Sequence, residues 1–277
     1  MPGLVDGACW TSARQGRRER SYAEHTGATE DAASRRPARP GGSGLAPKGA
    51  LFTVLGVEFV IALLAMLFGA LAPAPEPPGH TVVRVAPGAI VSVRDRPHGR
   101  VVARLGARTE FGSPQTLAVL RRDDGWLGVS TTSLPNDRTG WIDPDGARLA
   151  YARTAVELRV DLSQRTLLAL RRGRVVHRSN VTIGAPASPT PIGRFAITDK
   201  LRGAEFGNYY GCCILAISGR QTNLPSGWEG GDVLAIHGGP SWALGSRLSA
   251  GCLHASEADL RWLMSRVPLG TPITIHP

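Results

Sequence analysis

The sequence predicts a mainly β protein with one transmembrane helix near its N-terminus and one clear helix near its C-terminus. Three observations lead to this prediction. A long apolar run covers residues 50–72, short apolar or alternating segments broken by turn residues fill the chain after residue 80, and a helical period follows Ser256.

Residues 1–49 are rich in Gly, Pro, Ser, Ala and charged residues and show no apolar period. Such a segment buries too little apolar surface to offset the entropy cost of ordering it. We therefore expect a disordered basic tail, which the orientation derived next places in the cytoplasm.

Residues 50–72 are almost entirely apolar, and roughly 20 such residues suffice to cross a membrane. Glu58 is the discordant residue and would cost about 2–3 kcal/mol near the bilayer centre. Basic residues precede the run, so the positive-inside rule places the N-terminus in the cytoplasm. Proline follows both small-residue cleavage candidates, which favours an uncleaved signal anchor over a removed signal peptide. A buried helix of a soluble protein is the other alternative.

This anchor would make the protein a single-pass protein of the cell membrane, with everything after residue 72 extracytoplasmic. Residues 73–80 contain four prolines (Pro73, Pro75, Pro77 and Pro78) and are expected to form a semi-rigid linker.

Residues 81–150 are expected to form a small β-barrel, because six short strands alternate there with turn signals. The predicted strands are 82–85, 89–93, 101–105, 117–120, 126–129 and 140–142. The segment 93–97 (Val-Arg-Asp-Arg-Pro) and the pairs Gly125-Trp126 and Gly140-Trp141 resemble bacterial SH3-like wall modules. A structural spacer without a ligand is the alternative for this part.

Residues 154–277 are expected to form a second, larger β-rich unit, with strands at 156–162, 166–170, 175–183 and 273–275. Its one clear helix follows Ser256, which can act as the N-cap, with Asp259 at the capping-box position. Apolar residues then recur with helical spacing at Leu260, Leu263, Met264 and Val267. The segment from Pro268 to Pro272 ends the helix.

The net charge of +10 suggests an anionic partner such as a membrane surface, an acidic polymer or nucleic acid. No zinc-finger spacing, aromatic RNA-binding signature or basic heptad run accompanies this charge, so we predict no nucleic-acid partner. The four cysteines form no C-x-x-C pair and are too sparse for a disulfide scaffold. A reactive thiol is left as one open interpretation.

Cys252 is the cysteine with a chemically suggestive context. Gly251 before it lets the backbone approach a substrate closely, and the amides of both residues could stabilise an oxyanion. Upstream, His237 ends an apolar strand and is followed by Gly238. A thiol needs a nearby imidazole to become a thiolate nucleophile. Spacing alone leaves the alternative that both residues are buried packing residues.

Four motifs, in order, resemble the L,D-transpeptidase (YkuD-type) family. They are Ser188-Pro189-Thr190-Pro191-Ile192-Gly193-Arg194-Phe195, Ile236-His237-Gly238, Ser249-Ala250-Gly251-Cys252-Leu253-His254, and Leu269-Gly270-Thr271-Pro272-Ile273 after the helix. Together they are spread over residues 188–273, which is most of the unit at 154–277. The resemblance implies an all-β catalytic domain that remodels peptidoglycan.

The resemblance also implies roles for individual residues. Cys252 would be the nucleophile and His237 the base, with Gly238 orienting His237 through its carbonyl and Gly251 contributing to the oxyanion site. Ser249, His254 and Tyr210 would contact substrate, and Tyr209 is an alternative to Tyr210. No metal or organic cofactor is implied. The partners would be peptidoglycan stem peptides as donor and acceptor, and carbapenem-type β-lactams as inhibitors.

Two residues depart from the family pattern. Ala250 stands where the family usually has histidine, and His254 stands where it usually has arginine. These departures leave open a catalytically weak or inactive wall-binding protein. A hydrolase of the L,D-carboxypeptidase type is also open, because water competes with an amine for the same thioester.

Two other candidate sites have little support in the sequence. Cys212 and Cys213 could supply a rival nucleophile, but they lead an apolar strand, where cysteine behaves as a small hydrophobic residue. A zinc site built from His237, Cys252 and His254 lacks any metal motif or supporting carboxylate pattern.

Overall fold

The computed structural model describes residues 79–228 and 230–277. The predicted tail, the apolar run at 50–72 and almost all of the linker lie outside these residues. In the described part, no helix combines the length and apolar character needed to span a bilayer. The membrane anchor therefore stays a prediction.

The first β unit is a seven-stranded sheet with the order β3-β2-β6-β5-β4-β1-β7, in which all neighbours are antiparallel. Its strands are β1 (His80–Val85), β2 (Val91–Arg94), β3 (Val101–Leu105), β4 (Thr116–Asp123), β5 (Trp126–Val129), β6 (Gly140–Ile142) and β7 (Leu149–Thr154). Inward-facing residues such as Val83, Val93, Leu127 and Ile142 form its core. All six predicted strands are present, with small differences at their ends.

Strand β7 was not predicted, although it pairs with β1 along its whole length. Only Thr154 at its end is buried, and most of its other residues are exposed. An edge strand of this kind carries no apolar alternation, so its sequence does not distinguish it from a loop.

The second β unit is an eight-stranded sheet with the order β10-β9-β8-β17-β12-β13-β14-β16, beside a small parallel pair of β11 and β15. Its strands are β8 (Val156–Asp161), β9 (Thr166–Arg171), β10 (Arg174–Asn180), β11 (Ile183–Gly184), β12 (Gly193–Arg202), β13 (Cys213–Arg220), β14 (Val233–His237), β15 (Arg247–Ser249), β16 (Leu253–His254) and β17 (Pro272–His276). Strands β13 and β14 are buried almost throughout.

The predicted C-terminal helix is present as α1 (Glu257–Arg266). The Ser256 hydroxyl accepts a hydrogen bond from the Asp259 amide at 3.1 Å, which satisfies one of the unpaired N–H groups of the first turn. Leu260 and Leu263 are fully buried in the core of the second sheet. The helix thus covers one face of that sheet, directly after the strand that follows Cys252.

The single strand predicted at 175–183 is wrong, because the chain leaves the sheet between β10 and β11. The Val181 amide bonds to the carbonyl of Arg165, and Thr182 exchanges both backbone hydrogen bonds with His254. This change of partner brings the start of the loop at 185–192 next to the strand that carries His254.

The two β units lie in one compact unit and contact each other through polar side chains. Ser130 and Ser218 share a buried hydrogen bond of 2.8 Å, and Thr109 donates to the Asp199 carboxylate at 2.5 Å. Asn136 bonds to the backbone of Arg220 through both ends of its amide. The first unit therefore packs directly on strands β12 and β13.

Candidate active site

Strands β14 and β16 run parallel, and this pairing sets the geometry of the site. His237 is paired with His254, and Ile236 with Leu253. Side chains alternate along a strand, so Ile236 and Leu253 point into the core under α1. Cys252 packs on the opposite face, in a cluster with Ala235 and Tyr210. The pairing therefore places Cys252, His237 and His254 on one face of the sheet.

His237 is completely buried, and its two ring nitrogens have different surroundings. Nδ1 lies 2.6 Å from the carbonyl oxygen of Gly238, which can only accept a hydrogen bond. Nδ1 therefore carries a proton, and in the neutral form of the ring Nε2 keeps its lone pair. Nε2 has no hydrogen-bond partner among the described residues. A neutral imidazole fixed in this tautomer has the form required of a general base.

The wall beside His237 is the segment that contains Tyr209 and Tyr210. Tyr210 is buried, its ring centroid lies 4.9 Å from that of His237, and its carbonyl accepts the Gly238 amide at 2.8 Å. These contacts orient the base and give Tyr210 a packing role; its predicted contact with substrate stays a prediction. Tyr209 is only half-buried, and its ring lies 5.8 Å from that of His254. Of the two tyrosines, Tyr209 is thus the more accessible.

Cys252 is buried and, among the described cysteines, is the one outside a disulfide. It follows Gly251, whose φ of 116° lies in the region that favours glycine. A Cβ atom at position 251 would also lie 2.0 Å from Nε2 of Gln221. Gly251 is therefore required both by its backbone conformation and by its neighbour.

Hydrogen bonds inside this turn engage two residues with predicted roles, Ser249 and Gly251. The Ser249 hydroxyl accepts the Gly251 amide at 3.1 Å and donates to the Cys252 carbonyl at 2.6 Å. Ser249 is buried and both donates and accepts within the turn, and its predicted contact with substrate stays a prediction. The Gly251 amide is engaged by Ser249, which makes it the less accessible of the two predicted oxyanion donors.

His254 is buried in a way that keeps it neutral. Burial, together with the neighbouring His237 at 4.7 Å between ring centroids, lowers the pKa of His254 from 6.5 to about 2. A neutral imidazole cannot supply the positive charge that arginine would bring to a substrate carboxylate. Any contact of His254 with substrate would therefore be a hydrogen bond between neutral and charged groups, not an ion pair.

Cys212 and Cys213 are joined to each other by a disulfide, which corrects the expectation that they pack as two separate small apolar side chains. A disulfide holds no thiolate, so neither residue can act as the rival nucleophile in this state. The Cys212 amide donates to the Glu257 carboxylate at 2.8 Å, which ties this segment to the start of α1.

The alternative zinc site at His237, Cys252 and His254 gains no support. Across residues 79–228 and 230–277, no group of three histidine, cysteine or acidic side chains is arranged to hold a metal ion.

A polar cavity of about 300 Å³ lies between the two β units, lined by Arg108, Glu110, Asp199 and other residues. Its lining includes neither His237 nor Cys252.

Sequence reasoning missed two residues that touch the nucleophile's turn. Thr190 belongs to one of the four motifs, but the motif gives it no role; its hydroxyl lies 2.8 Å from the Gly251 carbonyl. Gln221 lies outside every motif, and its amide contacts the Ala250 carbonyl at 3.0 Å. The sequence signal for Gln221 is its position directly after an apolar strand; its burial is visible only in the structure.

Comparison with known proteins supports the resemblance found in the motifs. Residues 155–275 match the family model of the L,D-transpeptidase catalytic domain, YkuD. A Bacillus licheniformis protein provisionally named L,D-transpeptidase YkuD is 31% identical over 122 residues. The alignment covers 43% of this chain and 64% of that protein, so the chain spans less than two thirds of its relative's length.

Solved structures with similarity to this chain include two L,D-transpeptidases. One is a cysteine-to-serine mutant from Enterococcus faecium, at 21% identity and a TM-score of 0.34, covering 44% of this chain and 50% of that one. The other is L,D-transpeptidase 3 from Mycobacterium tuberculosis in complex with a faropenem-derived adduct. It is 18% identical with a TM-score of 0.35, covering 50% of this chain and 73% of that chain.

Proposed function

We propose that this protein is a cysteine acyltransferase of the L,D-transpeptidase type that cross-links peptidoglycan stem peptides. One observation carries the proposal. The thiol of Cys252 lies on the same sheet face as His237, whose Nδ1 proton is held by the Gly238 carbonyl and whose Nε2 is left as a base. A thiol nucleophile requires an oriented imidazole of this kind on its own side of the sheet.

In the first step, His237 Nε2 takes the Cys252 proton, and the thiolate attacks a carbonyl of the donor stem. That carbonyl joins the third residue of the stem, expected to be diaminopimelate, to the terminal D-alanine. The Cys252 amide stabilises the oxyanion of the tetrahedral intermediate. The intermediate collapses as the bond to nitrogen breaks, and protonated His237 gives its proton to the departing amine of D-alanine. A thioester on Cys252 remains.

In the second step, a side-chain amine of a neighbouring stem attacks this thioester. His237 accepts a proton from the attacking amine and returns it to the sulfur as the carbon–sulfur bond breaks. An amide cross-link forms, and the free thiol is restored. Both steps use only groups of this chain and of the two stems.

The location proposed for this chemistry is the outer side of the cell membrane. The apolar run at 50–72 would anchor the chain, and the β unit of residues 81–150 would act as an SH3-like module toward the wall. The basic balance of the chain suits a matrix of anionic wall polymers.

Hydrolysis is the alternative fate of the same thioester, since water attacks it whenever no amine is bound. The neutral state of His254 supports hydrolysis as an alternative, because a neutral ring lacks the charge with which arginine would hold a substrate carboxylate. A catalytically inactive wall-binding protein is the other alternative, and the absence of histidine at Ala250 is its basis.

Acylation by a carbapenem tests the proposal without a natural substrate. The full-length protein in detergent is mixed with the inhibitor, and adduct mass is followed against time. We expect a stoichiometric adduct in the wild type, none in Cys252→Ala, and a rate at least about 100-fold lower in His237→Ala. Cys212→Ala is the matched control, because it removes a cysteine outside the proposed pair. A wild-type protein that stays unmodified would refute the proposal.

A further inference from the structure

Three consecutive carbonyls around the nucleophile each accept a hydrogen bond from a buried side chain. The Ala250 carbonyl accepts from Gln221 at 3.0 Å, the Gly251 carbonyl from Thr190 at 2.8 Å, and the Cys252 carbonyl from Ser249 at 2.6 Å. Ser249 belongs to the turn itself. Thr190 and Gln221 come from elsewhere in the chain, so they hold the turn from outside.

Because the peptide bond is planar, a hydrogen bond to one of these carbonyls also fixes the direction of the N–H group of the next residue. In a trans peptide the C=O of one residue and the N–H of the next point in opposite directions. No cis peptide occurs among the described residues. The bond from Thr190 to the Gly251 carbonyl therefore fixes the direction of the Cys252 N–H. In the same way, the bond from Gln221 to the Ala250 carbonyl fixes the direction of the Gly251 N–H, which reaches Ser249.

Thr190 is itself held in place. Its hydroxyl oxygen accepts the Gly184 amide at 2.8 Å, so the hydroxyl hydrogen is left to donate to Gly251. The loop from 185 to 189 folds back on Gly184 so closely that a Cβ there would lie 2.2 Å from the Ser188 carbonyl. Thr190 is buried, and water does not compete for its hydroxyl.

The hydrogen bonds of Gln221 fix the orientation of its side-chain amide. Its Oε1 accepts the Asn223 amide at 2.9 Å, which identifies the other end as the NH₂ donor. That donor faces the carbonyls of Ser188, Pro189 and Ala250 within 3.2 Å. One buried amide thus links the loop before Thr190 to the turn before Cys252.

We infer that Thr190, supported by Gln221, is a positioning residue that aims the Cys252 amide at the oxyanion formed during acyl transfer. The inference rests on the proposed function, because an oxyanion arises when a thiolate attacks a carbonyl. Thr190 touches neither the thiol nor the substrate in this role. It acts through the Gly251–Cys252 peptide plane.

Two reactions of Cys252 separate aiming of the amide from general integrity of the site. Iodoacetamide alkylates a thiolate at a saturated carbon and forms no oxyanion, whereas a carbapenem acylates through one. The measurement is the ratio of acylation to alkylation rates for the full-length protein. Removing one oxyanion donor typically costs about 10²–10³ in rate. We expect Thr190→Val to lower the ratio by roughly 10- to 100-fold, as a misaimed donor keeps part of its effect.

Thr190→Ser keeps the hydroxyl and should restore the ratio to within about threefold of wild type. Thr182→Val is the matched control, because Thr182 is also a buried threonine whose hydroxyl donates to a loop carbonyl, that of Ala243. Its ratio should match wild type. Gln221→Met, which removes the donor at similar size, is the second variant should Thr190→Val fail to fold, and its ratio should also fall.

The outcomes distinguish this inference from the function on which it rests. An acylated wild type together with unchanged ratios in Thr190→Val and Gln221→Met would overturn the inference alone. A wild type that is alkylated but never acylated would overturn the proposed function, and the inference with it. An equal fall of the ratio in Thr182→Val would show a general effect of lost buried hydrogen bonds and would also overturn the inference.

Discussion

The neutral state of His254 predicts an acid-sensitive fold. The pKa of His254 is lowered from 6.5 to about 2 by burial and by His237, so the folded protein leaves this ring unprotonated over several pH units. The unfolded chain protonates it near its ordinary pKa. Below that value the unfolded state binds more protons than the folded state, and stability falls as the pH falls. Above it, the group contributes no pH dependence.

The magnitude follows from the size of the window. Each pH unit between the two pKa values changes the free energy of unfolding by about 1.4 kcal/mol for one group. From the ordinary pKa down to about pH 4.5, His254 should therefore remove roughly 2–3 kcal/mol of stability. This is a large fraction of the 5–15 kcal/mol that is typical for a folded protein.

Chemical unfolding of the full-length wild type and His254→Gln at about pH 7 and pH 4.5 isolates this contribution. The wild type should lose roughly 2–3 kcal/mol more than His254→Gln between the two conditions. His276→Gln is the matched control, because it removes an exposed histidine at the end of β17 and leaves His254 in place. Equal losses in wild type and His254→Gln would refute the reasoning that His254 is held neutral.

Three further predictions concern the nucleophile, its turn and the topology. Cys252→Ala should abolish transfer, whereas Cys213→Ala should keep activity and lower only stability, since its sulfur is held in a disulfide; the check is product formation in both variants. Gly251→Ala should cost at least about tenfold in acylation rate, because φ is 116° there and the new Cβ meets the Gln221 amide. External protease on intact cells stripped of any outer barrier should digest residues 79–277 and spare an N-terminal tag; digestion of the tag would reverse the predicted orientation.

Regular elements of the fold were predictable where local pattern and burial agree. The helix after Ser256 has its cap, its apolar period and its proline stop in the sequence, and α1 follows them. The strand β7 has none of these signals because most of its residues are exposed. The break between β10 and β11 depends on backbone bonds from Val181 and Thr182 to distant partners, and local pattern does not contain that information.

The residues of the candidate site also differ in how well the sequence predicts them. Cys252, His237 and Gly238 were predicted from ordered motifs; the structure places His237 and Gly238 at the end of β14 and Cys252 directly before the neighbouring strand β16. The inward-turned hydroxyl of Ser249 and the contact of Gln221 with the turn were not predictable, because each depends on which carbonyl a buried donor finds in three dimensions. Polar residues near a motif are thus the ones whose roles sequence assigns least well.

The bond between Cys212 and Cys213 shows a different limit. Two adjacent cysteines at the start of an apolar strand are compatible with separate thiols or with a disulfide, and composition favoured thiols. The segment's other contacts, from the Cys212 amide to Glu257 and from the Tyr210 carbonyl to the Gly238 amide, show that it forms the wall of the site. The contact of this segment with the site around His237 follows from its position in the fold and is not visible in its sequence.

Cys252 and His237 are tested most directly as an acyl-transfer pair by incubating the full-length protein with a defined tetrapeptide stem that ends in D-alanine. Protein and products are then analysed by mass spectrometry. We expect a thioester adduct on Cys252, release of D-alanine and a cross-linked dimer when a second stem supplies the amine. Release of D-alanine with a free tripeptide and no dimer would identify a hydrolase. An unmodified Cys252 beside an intact tetrapeptide would contradict the assignment of Cys252 and His237 as an acyl-transfer pair.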